Sequence, residues 1–270
     1  AAPENREFSN NLGQLYKNDG KVDEAIEAYR AALKADPDFA DAHNNLGTAL
    51  AMTEQLEDAI GHYRRALEID PNNVRAHYNL ATTLSKQGNL PAAVEGLRTV
   101  IGIAPDYIDA YNNLGLALHD LGRLEEAVDN YRKALTLRPD YPEVHNNLGN
   151  TLIDLGQLNE AVASFHKALD IKPDYAEAHN NLGNTLINLG QLNEAVASFH
   201  KALDIKPDYA EAYSNLGNAL KDLGRQEDAV ASYHKALAIK PDYAEAHSNL
   251  GVALQDLGKL DEAVDLITKP

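Results

Sequence analysis

Cysteine is absent from the 270 residues, and with it go disulfides, thiolate nucleophiles and Cys-based zinc sites. No apolar run approaches the roughly 18 residues that span a bilayer, and the opening Ala1-Ala2-Pro3-Glu4-Asn5-Arg6 lacks the basic and apolar regions of a secretory signal. The expectation is a cytoplasmic protein without a membrane segment. Positive charge is also scarce: 24 Lys and Arg stand against 41 Asp and Glu, a formal charge of −17. The resulting field repels phosphate backbones and anionic headgroups, which sets aside nucleic acid and membranes and favours a neutral or basic polypeptide partner. No phosphate-cradling glycine loop, nucleophile elbow or metalloprotease helix occurs, so no catalytic residue and no cofactor is assigned.

Hydrophobic residues, by contrast, make up 44% of the chain, enough for a folded protein. They recur with a fixed period. Pro3, Pro37, Pro71, Pro105, Pro139, Pro173, Pro207 and Pro241 fall 34 residues apart, and only Pro91, Pro142 and Pro270 leave the grid. A leucine column (Leu12 to Leu250) and an alanine column (Ala25 to Ala263) keep the same register, as does a glycine column broken only by Ala81. The units are 6–39, 40–73, 74–107, 108–141, 142–175, 176–209 and 210–243, with a truncated 244–270.

Inside 142–175, Val144, Leu148, Leu152 and Leu155 form a helical stripe that Gly156 ends. Leu158, Ala161, Val162, Phe165, Ala168, Leu169 and Ile171 form a second, stopped at Lys172-Pro173-Asp174-Tyr175. Each unit therefore reads as a helix-turn-helix hairpin, with small Gly149 and Ala161 where the helices approach and a bulky column containing Phe165 filling the gap. These columns resemble the tetratricopeptide repeat over essentially the whole chain. The fold implied is all-α, a right-handed α-solenoid superhelix, with first helices on the concave face and second helices on the convex one. The family's early aromatic is replaced by His43, His77, Tyr111, His145, His179, Tyr213 and His247.

Two units depart from the pattern. Glu54 stands where the other turns have glycine and must take a positive φ or another turn. In 74–107, Ala81, Leu97, Val100 and Gly102 replace column residues, and the poorest packing is expected there. Pro91 is tolerated at the start of the second helix. By register, residues 1–5 read as the tail of a preceding unit. The last unit is expected to expose Leu250, Leu254, Val264 and Ile267, and so to allow end-to-end self-association.

On the first helices, Asn11, Asn45, Asn79, Asn113, Asn147, Asn181, Asn215 and Asn249 form an unbroken column that helix propensity does not ask for. Two roles are open to it. The amides bond to neighbouring backbone or the adjacent helix, or they face the groove and pair with both the C=O and N–H of a bound peptide. Packed helices about 10 Å apart match three extended residues, so one amide per repeat suits an extended ligand. Such a ladder resembles the repeat region of O-linked N-acetylglucosamine transferase, and the resemblance implies a grip on substrate backbone. The transferase domain is absent from this chain, and an alternative role is the substrate-recruiting part of such an enzyme; a self-associating scaffold is a third.

The candidate peptide-binding set also includes Glu143, Glu177 and Glu211, which favour Lys- or Arg-bearing ligands if they face the groove, and Asn150, Asn184 and Asn218 one turn beyond the ladder. Lys133, Lys167, Lys201 and Lys235 fall on second helices and form no clamp for a C-terminal carboxylate. Metal binding is not expected, since His145 and His179, or His166 and His200, lie whole repeats apart.

Overall fold

The structure, a computed structural model, describes residues 3–260 and residue 262. Among these residues there are fifteen α-helices and no strand. The chain forms two compact units, Ala1–Leu137 and Arg138–Pro270. The first contains the hairpins α1 (Pro3–Asn18) with α2 (Val22–Ala35), α3 (Ala40–Met52) with α4 (Leu56–Ile69), α5 (Val74–Lys86) with α6 (Leu90–Ile103), and α7 (Ile108–Asp120) with α8 (Leu124–Leu137). The second contains α9 (Pro142–Asp154) with α10 (Leu158–Ile171), α11 (Ala176–Asn188) with α12 (Leu192–Ile205), α13 (Ala210–Asp222) with α14 (Gln226–Ile239), and α15 (Ala244–Asp256). Each is an all-α stack of helical hairpins, as the period predicts.

Close packing within a hairpin comes from a glycine facing a ring. A Cβ added to Gly149 would lie 2.6 Å from the Phe165 ring, and one on Gly47 would lie 2.8 Å from Tyr63. Both rings are buried, as are Ala59 and Ala161 beside them. The hairpin α5–α6 solves the same problem differently. Ala81 and Leu97 are both fully buried, and a Cβ on Gly96 would meet that of Ala81 at 2.8 Å. A methyl is gained on one helix, and on the other the ring gives way to leucine and its neighbour to glycine, so the methyl of Ala81 packs where Gly96 leaves room for it. Pro91 lies in the first turn of α6 and Pro142 in that of α9, where neither removes a helix hydrogen bond.

Within each unit a first helix packs on its own second helix and on the second helix of the preceding hairpin. First helices also touch one another, α1 to α3, α3 to α5 and α5 to α7, and likewise α9, α11, α13 and α15; among the described residues no two second helices do. The first helices are therefore the crowded inner edge of each stack. In the last repeat, Leu250 and Leu254 are buried at 0% and 1% exposure, against the expectation of an exposed apolar end, and α15 packs on α14. Val264 and Ile267 lie outside the described residues.

The histidine column has a distinct use. Nε2–H of His43, His77, His145, His179 and His247 donates to the carbonyl of Pro37, Pro71, Pro139, Pro173 and Pro241, and the Tyr111 hydroxyl does the same to Pro105. Each bond ties a first helix to the turn that leads into it. With Nε2–H committed, the Nδ1 of His43 is an acceptor, and it takes the Nδ1–H of His62 at 2.9 Å.

Turns inside the hairpins use a left-handed residue. Gly156 has φ 72°, and the following Gln157 N–H closes on Leu152 at 2.8 Å. Glu54 adopts the same geometry at φ 59°, with Gln55 N–H on Leu50 at 3.0 Å. A side chain in that region carries a steric cost. Glu54→Gly is thus expected to raise stability by about 1 kcal/mol, read by urea melts; an unchanged or lower midpoint would show that the Glu54 turn is unstrained.

The pair of histidines yields a pH dependence. Burial holds His62 below the ordinary histidine range, with the neighbouring His43 adding to the effect, Arg30 contributing less and Asp58 opposing it. The unfolded chain therefore binds more protons as pH falls through about 6.5, and stability contributed by neutral His62 is lost over that range. Melts of the parent and of His62→Ser at pH 7.5 and 5.5 should show the parent losing more stability on acidification. Parallel losses would remove His62 from the account.

Candidate functional site

The inner edge carries the asparagine column, and its geometry is regular. Asn45 donates its amide N–H to Asn10 Oδ1 at 3.0 Å, Asn79 to Asn44 at 2.9 Å and Asn113 to the Tyr78 hydroxyl at 2.8 Å. In the second unit Asn181 donates to Asn146 at 3.1 Å and Asn215 to Asn180 at 3.0 Å. Asn249 reaches Asn218 instead, at 3.0 Å, where Ser214 occupies the place of the usual acceptor. Every one of these bonds crosses to the preceding repeat. Asn147 is half-buried on α9 and has a hydrogen-bond or electrostatic partner of its own, and Asn11 is exposed on α1.

The acceptors were not anticipated from the sequence. Asn44, Asn146 and Asn180 are 5%, 1% and 0% exposed, and a buried amide oxygen needs a donor. The readable signal was the Asn-Asn dipeptide at 10–11, 44–45, 112–113, 146–147 and 180–181: in pairs such as 44–45 and 180–181 the first residue is buried in the stack and the second, half-buried, reaches the preceding repeat. The column thus makes the adjacent-helix contacts that formed one of its two predicted roles. The other role keeps its chemistry, because the half-buried amides of Asn181 and Asn215 each retain Oδ1 and one N–H.

The flanking positions divide. Asn218 Oδ1 is committed, taking the Tyr233 hydroxyl at 2.7 Å as well as Asn249. Asn150 and Asn184 sit at the same helix position opposite Phe165 and Phe199, which have no hydroxyl to satisfy. Glu143, Glu177 and Glu211 are exposed on α9, α11 and α13. Glu143 lies 3.7 Å from Lys172 Nζ, and Glu211 accepts a long 3.4 Å bond from Asn180. Neither contact neutralises the acidic character of the face, because exposed pairs are weak. Among the described residues no helix is long and apolar enough to cross a membrane.

Comparison with known proteins agrees with the architecture. Models described as tetratricopeptide repeat match residues 3–74 and 53–117, and a model described as TPR repeat matches 116–155, 149–190, 183–224 and 217–258. No curated protein matches the sequence. Among solved structures, MamA is 28% identical with a TM-score of 0.57, covering 62% of this chain and 97% of its own. A tetratricopeptide repeat protein from Parabacteroides merdae is 18% identical with a TM-score of 0.70 over 92% of this chain and 98% of its own. The Cut9–Hcn1 hetero-tetramer of the APC/C gives 18% and 0.69 over 87% of this chain and 48% of the matched one; at that identity the last two speak for the fold alone. With repeat models spanning residues 3–258 and helical hairpins throughout both units, the chain belongs to the tetratricopeptide-repeat family.

Proposed function

We propose that the chain is a protein-interaction module that holds an extended polypeptide along the inner, first-helix edge, gripping backbone amides with the asparagine column and basic side chains with Glu143, Glu177 and Glu211. The observation that carries this reading is the pair Asn181 and Asn215. Each has one N–H committed to the preceding repeat and an oxygen and a second N–H left for a ligand. The internal bond fixes the amide plane, so ordering it on binding costs little. The structural and binding roles of the column are then one arrangement. Asn184, one turn on, offers a further amide on α11, whose first turn carries the exposed Glu177. The resemblance to the repeats of O-linked N-acetylglucosamine transferase points to the same use, including recruitment of substrate to a separate catalytic domain.

Peptides captured from a display library by the immobilised chain provide the probe. Asn181→Ala with Asn215→Ala should cost about 1–2 kcal/mol of stability per site, because Asn146 and Asn180 lose their donors. Affinity for the captured peptides, measured well below the melting temperature, should fall about 30-fold, taking about 1 kcal/mol per amide. Glu177→Gln with Glu211→Gln should leave stability level and weaken Lys-bearing peptides most. Parental affinity in the folded asparagine double variant would rule the grip out.

A second reading, association between copies, rests on α1. Phe8 and Leu15 are 67% and 66% exposed, and they occupy the repeat positions that Ala42 and Ala49 fill at 0% exposure in the next hairpin. Phe8→Glu with Leu15→Glu should abolish concentration-dependent sedimentation; a parent chain that stays monomeric at high concentration removes this reading.

A further inference from the structure

Away from the inner edge, a pocket recurs between two successive second helices and the first helix that joins them. In the first unit it is formed by α2, α3 and α4 and has a volume of about 420 Å³. Leu33, Pro37 and Leu46 give it apolar walls, and Arg30, Lys34 and His62 bring its polar groups. Among the described residues that line it, none is a carboxylate. Arg30 and Lys34 are exposed, so both side chains can follow a ligand, while the His62 ring is held by the bond from its Nδ1–H to His43 Nδ1 at 2.9 Å.

Four periods on, the pocket of α10, α11 and α12 keeps the walls as Leu169, Pro173 and Leu182, but His166, Asp170 and Ser198 stand in place of Arg30, Lys34 and His62, and Asp204 joins the lining. One repeat further, the pocket of α12, α13 and α14 again has two carboxylates, Asp204 and Asp228. Apolar walls are thus common to the position, and the unopposed positive charge is particular to the pocket of the first unit. Carboxylates close to it in sequence are engaged with other cations, Asp36 with Arg6, and Asp38 and Glu68 with Arg65. Glu27 meets Arg30 at 2.8 Å, an exposed pair of little strength that leaves other guanidinium donors unspent. Asp58, one turn before His62, offsets part of the charge.

We propose that the pocket of α2, α3 and α4 is a second binding site, which takes an acidic side chain of a partner polypeptide together with the apolar residue beside it. The carboxylate accepts from Arg30 and Lys34, and the apolar neighbour lies on Leu33 and Leu46. A membrane or a nucleic acid would bring many anionic groups to a chain whose net charge of −17 repels them, whereas a single carboxylate meets chiefly the local sign. The preference is opposite to that of the inner edge. Because the pocket uses no residue of the asparagine column, a partner can engage it whether or not that edge is filled.

The test uses the full chain, labelled with ¹⁵N-histidine, and two blocked peptides of nearly equal shape, acetyl-Leu-Glu-Leu-amide and acetyl-Leu-Gln-Leu-amide. At low ionic strength the glutamyl peptide should move the His62 resonances and saturate on the order of 1 mM, as expected for so small a ligand. The glutaminyl peptide should bind about tenfold more weakly for want of the charge in its hydrogen bonds. Inorganic phosphate at equal concentration should displace little of the peptide, having nothing to lay on Leu33 and Leu46. Lys34→Asp gives the position the residue that α10 and α12 carry there, Asp170 and Asp204, so it should fold and lose the glutamyl response. Unmoved His62 resonances, equal affinity for the two peptides, or parental affinity in Lys34→Asp would each overturn the proposal, and the first two need no variant to fold. Full displacement by equimolar phosphate would mark a bare anion site and overturn the assignment to a polypeptide.

Discussion

The contact on which the rest of each stack depends is a ring lying against a helix that has no side chain at that point. Gly149 under Phe165 and Gly47 under Tyr63 let two helices of a hairpin approach until the buried ring lies where a Cβ would be. Any β-carbon there would push the ring outward and widen the hairpin. Once that distance is set, the neighbouring Ala59 and Ala161 are fully buried, and the first helices are brought near enough to touch from repeat to repeat. The amide bonds between repeats require that proximity.

Much of this was legible in the sequence, because a period of 34 residues fixes where helices start and stop as well as which residue types recur at each crossing. The hairpins, the strained Glu54 turn and the close approach at the glycine column all follow from reading down columns. What a column cannot give is the identity of the partner across an interface. The bond from Asn181 to Asn146 spans 35 residues, one more than the period, and so joins two different columns. The Ala81, Leu97 and Gly96 exchange looks like three separate defects until the contact of Gly96 with Ala81 is seen. The tie from histidine to the turn proline has the same character: the imidazole departs from the family's aromatic, but its ring nitrogen reaches a carbonyl six residues back that no apolar ring could bond.

The acidity of the chain also has a local physical origin. Most helices lack a side-chain N-cap, Asn73 and Asn89 being the caps that accept a backbone N–H among the described residues. Carboxylates in the first turn, such as Glu57 and Asp58 on α4 or Glu125 and Glu126 on α8, supply the favourable interaction with the helix dipole instead. An excess of negative charge is thus built into the repeat, and the acidic inner edge inherits part of it from helix stabilisation.

The amides of the inner edge have one consequence that symmetry makes plain. Asn45, Asn79 and Asn113 in one unit, and Asn181, Asn215 and Asn249 in the other, all send the bonded N–H toward the lower-numbered repeat. Their dipoles line up instead of alternating, so each edge has a heading, like the grain of a plank. A polypeptide also has a heading, with its carbonyls and amides in fixed order from N to C. Laid along such an edge in its two opposite senses, the same segment would meet the aligned dipoles in two inequivalent ways, so the grip proposed above would distinguish a sequence from its reverse without reading a single side chain.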